Sequence, residues 1–313
     1  MPRFTVLAVF GLLASLLSGC TPDGEVAGSS SGAAKEPKLV RVVCTTGMVA
    51  DLVEHVGAAH IEVLALMGEG VDPHLYKPST GDIARLDGAD IVFFSGLHLE
   101  GKMGDIFESM RKHKPMIAVT DTIAHDKLLE SSGGQHDPHV WFDVALWSST
   151  LAGVADALAM QDPPHAADYR AAAERYAGEL HALDDECRKS MARLPENRRV
   201  LVTAHDAFHY FGRAYGVEVR AIQGISTESE AGVREINELV GFLVQRKIKA
   251  VFVESTVNPR NVEALVEGCA ARGHKLVVGG ELFSDAMGRP GTPEGTYPGM
   301  VRHNVETIFR ALD

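Results

Sequence analysis

Residues 163–195 read PPHAADYRAAAERYAGELHALDDECRKSMARLP, with no strand signal anywhere in the stretch. Tyr169, Tyr176, Leu180, Leu183, Cys187, Met191 and Leu194 are separated by 7, 4, 3, 4, 4 and 3 residues. That spacing lays one apolar stripe along one helix. Pro163 and Pro164 suit its first turn, and Pro195 stops it. At 1.5 Å per residue, ~30 residues span roughly 45 Å. A helix of that length is expected to be a rigid spine, since a flexible hinge would carry Gly and several strand-like crossings.

On both sides of this stretch, β-branched apolar runs alternate with amphipathic ones. Leu39 to Cys44, Ile61 to Met67, Ile91 to Phe94 and Met116 to Val119 read as strands. After the spine the theme returns at Val200 to Thr203, Val217 to Ile222, Ala250 to Val253 and Lys275 to Val278. Between them, Val233, Ile236, Leu239, Val240 and Leu243 follow helical spacing within Val233 to Lys247. Strands alternating with helices argue for an α/β fold with parallel sheets covered on both faces. The expected organisation is a lobe at 38–162, the connecting helix at 163–195 and a second lobe at 196–313.

The N-terminus has a different character. Met1, Pro2 and Arg3 precede an apolar run from Phe4 to Leu17. A positive start and a short apolar core are the pattern of a secretory signal. The run is shorter than the roughly 20 residues that a transmembrane helix needs. It ends in Leu17-Ser18-Gly19-Cys20, which looks like a bacterial lipobox. Residues 1–20 are therefore expected to be a lipoprotein signal peptide, with Cys20 lipidated. Residues 21–37, rich in Gly, Ser, Ala and Pro, are expected to be a flexible tether.

Thirty basic residues stand against 42 acidic ones, a formal net charge of −12. Nucleic acid as a partner would require a basic face, so it is not expected. Beyond Cys20, the chain holds Cys44, Cys187 and Cys269 without C-x-x-C spacing, which argues against a zinc finger or a thioredoxin-like motif. These three read as small buried apolar residues.

Four residues far apart read as one metal site. His74 lies in Asp72-Pro73-His74, and His139 in Asp137-Pro138-His139. A proline fixes its own φ and biases the residue before it toward extended backbone. Each loop is thus stiff, and a stiff loop loses less entropy when an ion fixes its side chain. His205 follows the strand ending at Thr203, and Asp285 follows Gly279 to Ser284. All four are expected at the carboxyl ends of strands, where open parallel sheets bind ligands. Three imidazoles and a carboxylate suit Zn²⁺, or Mn²⁺ when the carboxylate is bidentate. His205 and His209 are four apart, but Asp206 stands where a His-Glu-x-x-His protease needs Glu. Glu254 and His209 are candidates for groups around the ligands, with a turn carboxylate and an exposed histidine as the plainer readings. His98 reads as a loop histidine.

Together, Asp72 to Ser79, Asp137 to Asp143, Thr203 to Phe208 and Gly279 to Met287 resemble the zinc/manganese solute-binding proteins of bacterial ABC importers, the cluster A-I receptors. The resemblance covers nearly all of the chain after the tether. It implies two Rossmann-like lobes joined by a rigid helix, with His74, His139, His205 and Asp285 as metal ligands in the cleft. It also implies an extracytoplasmic, lipid-anchored monomer that hands Zn²⁺ or Mn²⁺ to an ABC permease and its ATPase. Family members assigned to manganese often carry Glu where this chain has His205, which leans toward zinc or dual use. Zinc-dedicated members often carry a long His- and acid-rich loop, where this chain has only His125, Asp126, His136 and Asp137 around a short segment. Two other readings compete with the receptor: a secreted zinc-dependent hydrolase, and a surface protein of cell adhesion stabilised by its metal. A hydrolase needs an open metal position for water, and four protein ligands leave little room for one.

Overall fold

β1 (Val40–Cys44) holds three valines, and its last three side chains are all buried. A strand buried on both faces belongs in the middle of a parallel sheet. In the computed structural model, which describes residues 39–131 and 134–313, β1 is internal to such a sheet. β2 (Ile61–Ala65), β3 (Ile91–Phe94) and β4 (Met116–Ala118) complete it in the order β2-β1-β3-β4. All three pairings are parallel, in register Val42 with Val63, Val43 with Val92 and Phe93 with Ile117. The signal peptide, the tether and Cys20 lie outside the described residues.

Helices return the chain between strands, as parallel pairing requires. They are α1 (Gly47–Gly57), α2 (Thr80–Gly88) and α3 (Gly104–Met110), followed by α4 (Val144–Ser148) and α5 (Leu151–Gln161). The start of α2 is fixed by a capping box: Ser79 Oγ accepts from Asp82 N, and Asp82 Oδ2 accepts from Ser79 N.

The spine is α6 (Ala166–Ala192), 27 residues or about 40 Å long. Pro163 and Pro164 sit in a separate 3-10 turn, Pro163–His165, just ahead of it. Its buried stripe includes Tyr169, Tyr176, Leu180, Leu183, Cys187 and Met191. The second half carries two parallel pairs, β5 (Val200–Thr203) with β6 (Glu218–Ala221) and β7 (Ala250–Glu254) with β8 (Val277–Leu282). β5 runs beside β7. The helices here are α7 (His209–Tyr215), α8 (Val233–Arg246), α9 (Arg260–Ala271) and α10 (Tyr297–Leu312).

β8 departs from the sequence expectation: it begins two residues later than Lys275 and runs on through Gly279 and Gly280. Two glycines in a row suggest a break, but here they allow close approach. A Cβ on Gly279 would lie 2.7 Å from Ala311 Cβ, and one on Gly280 would lie 2.5 Å from Thr307 Cγ2. Gly280 also has φ +150°, beside a register shift at Val251/Phe252. The glycines let α10 press against the strand that leads to Asp285.

α6 packs against α1, α4 and α5 from the first half and against α7 and α10 from the second. One apolar cluster therefore runs through both lobes, from Val42 and Met48 through Trp141 and Leu180 to Phe208 and Met300, beside a smaller cluster in each. A polar bolt crosses it. Asp51 on α1 accepts a hydrogen bond from Tyr176 Oη on the spine, and its Oδ2 accepts from Tyr297 N on α10 at 3.0 Å. Cys44, Cys187 and Cys269 are buried and unpaired.

Candidate metal centre

His205 lies just beyond β5, and the carboxylate that ends β7 reaches it. Glu254 Oε1 accepts from His205 N at 2.8 Å, and Oε2 accepts from Nδ1 at 2.5 Å. With Nδ1 carrying the proton, Nε2 is aimed away from Glu254 and into the cleft.

The same device recurs at His139. Asp137 Oδ1 accepts from His139 N at 2.9 Å and from Nδ1 at 2.8 Å. The turn is anchored to the other half through Tyr210 on α7, whose Oη accepts from Leu129 N and donates to Asp137 O. Contrary to the sequence expectation, His139 is not at a strand end. A segment with 3-10 turns at Val119–Thr122 and His125–Lys127 and the Glu130–His136 bridge separates it from β4. The polar anchors of that segment supply the rigidity that a strand would have given.

His74 sits in the turn between β2 and α2, where Asp72 Oδ1 accepts from His74 N at 2.9 Å. Asp285 follows β8. Asn304 on α10 clamps the backbone before it, accepting from Phe283 N at 2.9 Å and donating to Phe283 O at 2.7 Å. Trp141 Nε1 donates to Ser284 O at 3.0 Å, tying the His139 turn to the Asp285 turn.

These four side chains meet, all buried, with one ligand atom from each within 4.8 Å of the others. His74 Nε2 is 3.3 Å from His139 Nε2, which is 3.4 Å from His205 Nε2. Asp285 Oδ1 lies 3.3 Å from His139 Nε2, and Oδ2 lies 3.2 Å from His205 Nε2 and 3.8 Å from His74 Nε2. A tetrahedron with metal–nitrogen bonds of about 2.0–2.1 Å has edges of roughly 3.3 Å. Four of the five distances match that edge. Although close to the imidazoles, neither Asp285 oxygen has a well-aligned hydrogen-bond partner among the described residues. A buried carboxylate left that way costs stability, and a cation between the donors offsets the cost.

Electrostatics divide the three imidazoles. Burial opposes charge on His139, but Asp137 and Asp285 outweigh it and lift its pKa to about 9. Burial likewise opposes charge on His205, and Glu254 and Asp285 raise it well above the ordinary value. For His74, burial wins and the pKa falls to about 4. Burial pushes the Asp285 carboxyl upward, yet His205 and His139 hold it well below the usual range.

Of the other candidates, Glu254 touches a site histidine directly and His209 does not. His209 Nε2 is 3.1 Å from Asp206 Oδ1, and Nδ1 is 3.8 Å from Asp137 Oδ2, one step removed from the four. His98 lines, with His74, a cavity of about 350 Å³ at the mouth of the cleft. The sequence reading missed the work of Asp72 and Asp137. The signal lay within the Asp-Pro-His motif, because an Asp two residues before a His can cap that residue's N–H. Trp141 and Asn304 carried no such signal.

A family model described as zinc-uptake complex component A, periplasmic, matches residues 42–311. The manganese-binding lipoprotein MntA of Bacillus subtilis is 46% identical over 309 residues, covering 96% of this chain and 99% of that one. The zinc-binding protein TroA of Treponema pallidum is 47% identical over 285 residues, covering 91% of this chain and 92% of that one. The solved structure of the periplasmic zinc-binding protein TroA from Treponema pallidum matches with a TM-score of 0.86, covering 88% of this chain and 99% of that one.

Proposed function

Because this chain belongs to the zinc-uptake complex component A family, we propose that it is the extracytoplasmic receptor of an ABC importer, capturing Zn²⁺ or Mn²⁺ and delivering it to a permease driven by an ATPase. His74 and His139 from the first lobe and His205 and Asp285 from the second are the ligands in this reading. The protein works as a monomer held at the membrane by lipid on Cys20. The lobes run from 38 to 162 and from 196 to 313, about the connecting helix at 163–195.

The observation that carries the reading is the convergence of four donors from turns distant in sequence, at tetrahedral spacing. Borderline nitrogen donors favour Zn²⁺ over Mn²⁺ in affinity. Both Asp285 oxygens face the imidazoles, so bidentate ligation would raise the coordination number and serve Mn²⁺. Four protein donors fill the positions that a hydrolytic zinc would keep open for water.

Calorimetric titration of the chelator-stripped full chain with Zn²⁺, and separately with Mn²⁺, tests this. One tight site is expected, lost in His139→Ala. Weak or multiple binding that the substitution leaves unchanged would overturn the reading.

A further inference from the structure

The ligand roles proposed above are unequal in how the structure holds them, and the inequality falls on His74. Carboxylates pin the rings of His139 and His205 through Nδ1. Metal-bound imidazoles ordinarily have such a partner. His74 has none among the described residues: its turn is held through its backbone N–H by Asp72. It is also the most open of the four, 5% exposed against 0–1% for the rest, and it lines the mouth cavity.

The two Asp-Pro-His turns differ in what the second Asp oxygen does. Asp137 Oδ2 is buried without a hydrogen bond. Asp72 Oδ2 reaches across the cleft and accepts a hydrogen bond from Thr227 Oγ1 at 2.5 Å. Thr227 belongs to the segment 224–232 between β6 and α8, on the opposite lobe. The next residue, Glu228, makes an ion pair with Lys102, again across the cleft. Ile225, Ser226 and Glu228 face His74 across the mouth cavity. The segment thus lies over the least fastened ligand and is tied down on both sides of it.

We propose that Thr227 is a positioning residue for ion retention: through Asp72 it latches the 224–232 segment over the His74 turn, and the ion leaves when this latch opens and His74 swings away. Lys102–Glu228 is the weaker, solvent-exposed half of the latch. Capture is less affected than release, because the latch closes after the ion has met the pinned ligands His139, His205 and Asp285.

The test is stopped-flow release of Zn²⁺ from the loaded full chain into excess chromophoric chelator. Thr227→Val, which keeps the shape and removes the hydroxyl, is expected to release Zn²⁺ about tenfold faster, since the lost hydrogen bond is to a charged group. The association rate and the melting temperature of the metal-free protein should stay near wild type, and Thr227→Ser should restore slow release. Thr227→Ala, which adds no bulk, should match Thr227→Val. Glu228→Gln should raise the release rate about twofold, less so at high salt. Wild-type release rates in Thr227→Val and Thr227→Ala would overturn the latch, as would a Thr227→Ser variant that releases as fast as Thr227→Val. A wild-type chain that loads no Zn²⁺ would instead overturn the receptor reading, and the latch with it.

Discussion

Lowering the pH should loosen the ion steeply, and the site's electrostatics set how steeply. His139, with its pKa at about 9, holds a proton at pH 7 in the metal-free protein, and Glu254 and Asp285 push His205 in the same direction. His74, at about 4, is not, and Asp285 is already ionised. An ion that takes all three Nε2 atoms must therefore expel two protons. Each expelled proton makes affinity tenfold stronger per pH unit gained. Affinity should thus rise about 100-fold, or about 2.7 kcal/mol, per pH unit between roughly pH 5 and 8. The sign follows from the raised values: protons compete fully below them and cease to compete as pH climbs through them, so the slope flattens past about 9. Calorimetry at pH 7 in buffers of different ionisation heat counts the protons directly. Two per ion is expected. Fewer than one would mean that His139 and His205 are neutral without metal, and that Asp285 does not hold their protons as argued.

Removing the charge that holds His205, by Glu254→Gln, should weaken Zn²⁺ by 10–100-fold in chelator competition, since such outer partners typically contribute that much. Zn²⁺ at 100 times its dissociation constant should stabilise the fold by about 2.7 kcal/mol, visible as a raised melting temperature in scanning calorimetry and absent in Asp285→Ala. Solution scattering should show little compaction on loading, because the spine and the shared core resist lobe closure. On α1, burial opposes charge on His55, but its bonds to Asp51 raise it to about 8. A raised histidine stabilises the fold fully below its unfolded value of about 6.5, and that contribution is lost as pH rises through 8. The ring is 41% exposed, so screening limits the effect to about 1 kcal/mol, measurable as a fall in urea midpoint between pH 6 and 9 that His55→Gln removes.

Much of this was legible in the chain. The stripe from Tyr169 to Met191 predicts the spine because a helix that long must show its period. The two Asp-Pro-His turns and the residues after β5 and β8 mark the four donors because stiff turns and strand ends are local features. What stayed hidden depends on distant partners. The Trp141 bond to Ser284 joins residues 143 positions apart, and the Asp51 bond to Tyr297 joins residues 246 apart. No local pattern encodes either one. β8 runs past Val278, where the sequence strand ends, for a related reason: the approach of α10 makes Gly279 and Gly280 necessary within the strand. His139 lacked its expected strand because Tyr210 on α7 fixes its turn from another part of the molecule.

The continuous core has a consequence for recognition. A carrier whose halves share buried side chains from Val42 to Met300 is expected to keep nearly one outline, full or empty. Any machinery that must admit the full form and refuse the empty one cannot gauge a gap between lobes. It has to inspect the rim, where Lys102, Glu228 and the edge of His74 lie. Dyes placed at the far ends of the two lobes would be nearly blind to loading, while a single dye beside Glu228 would report it.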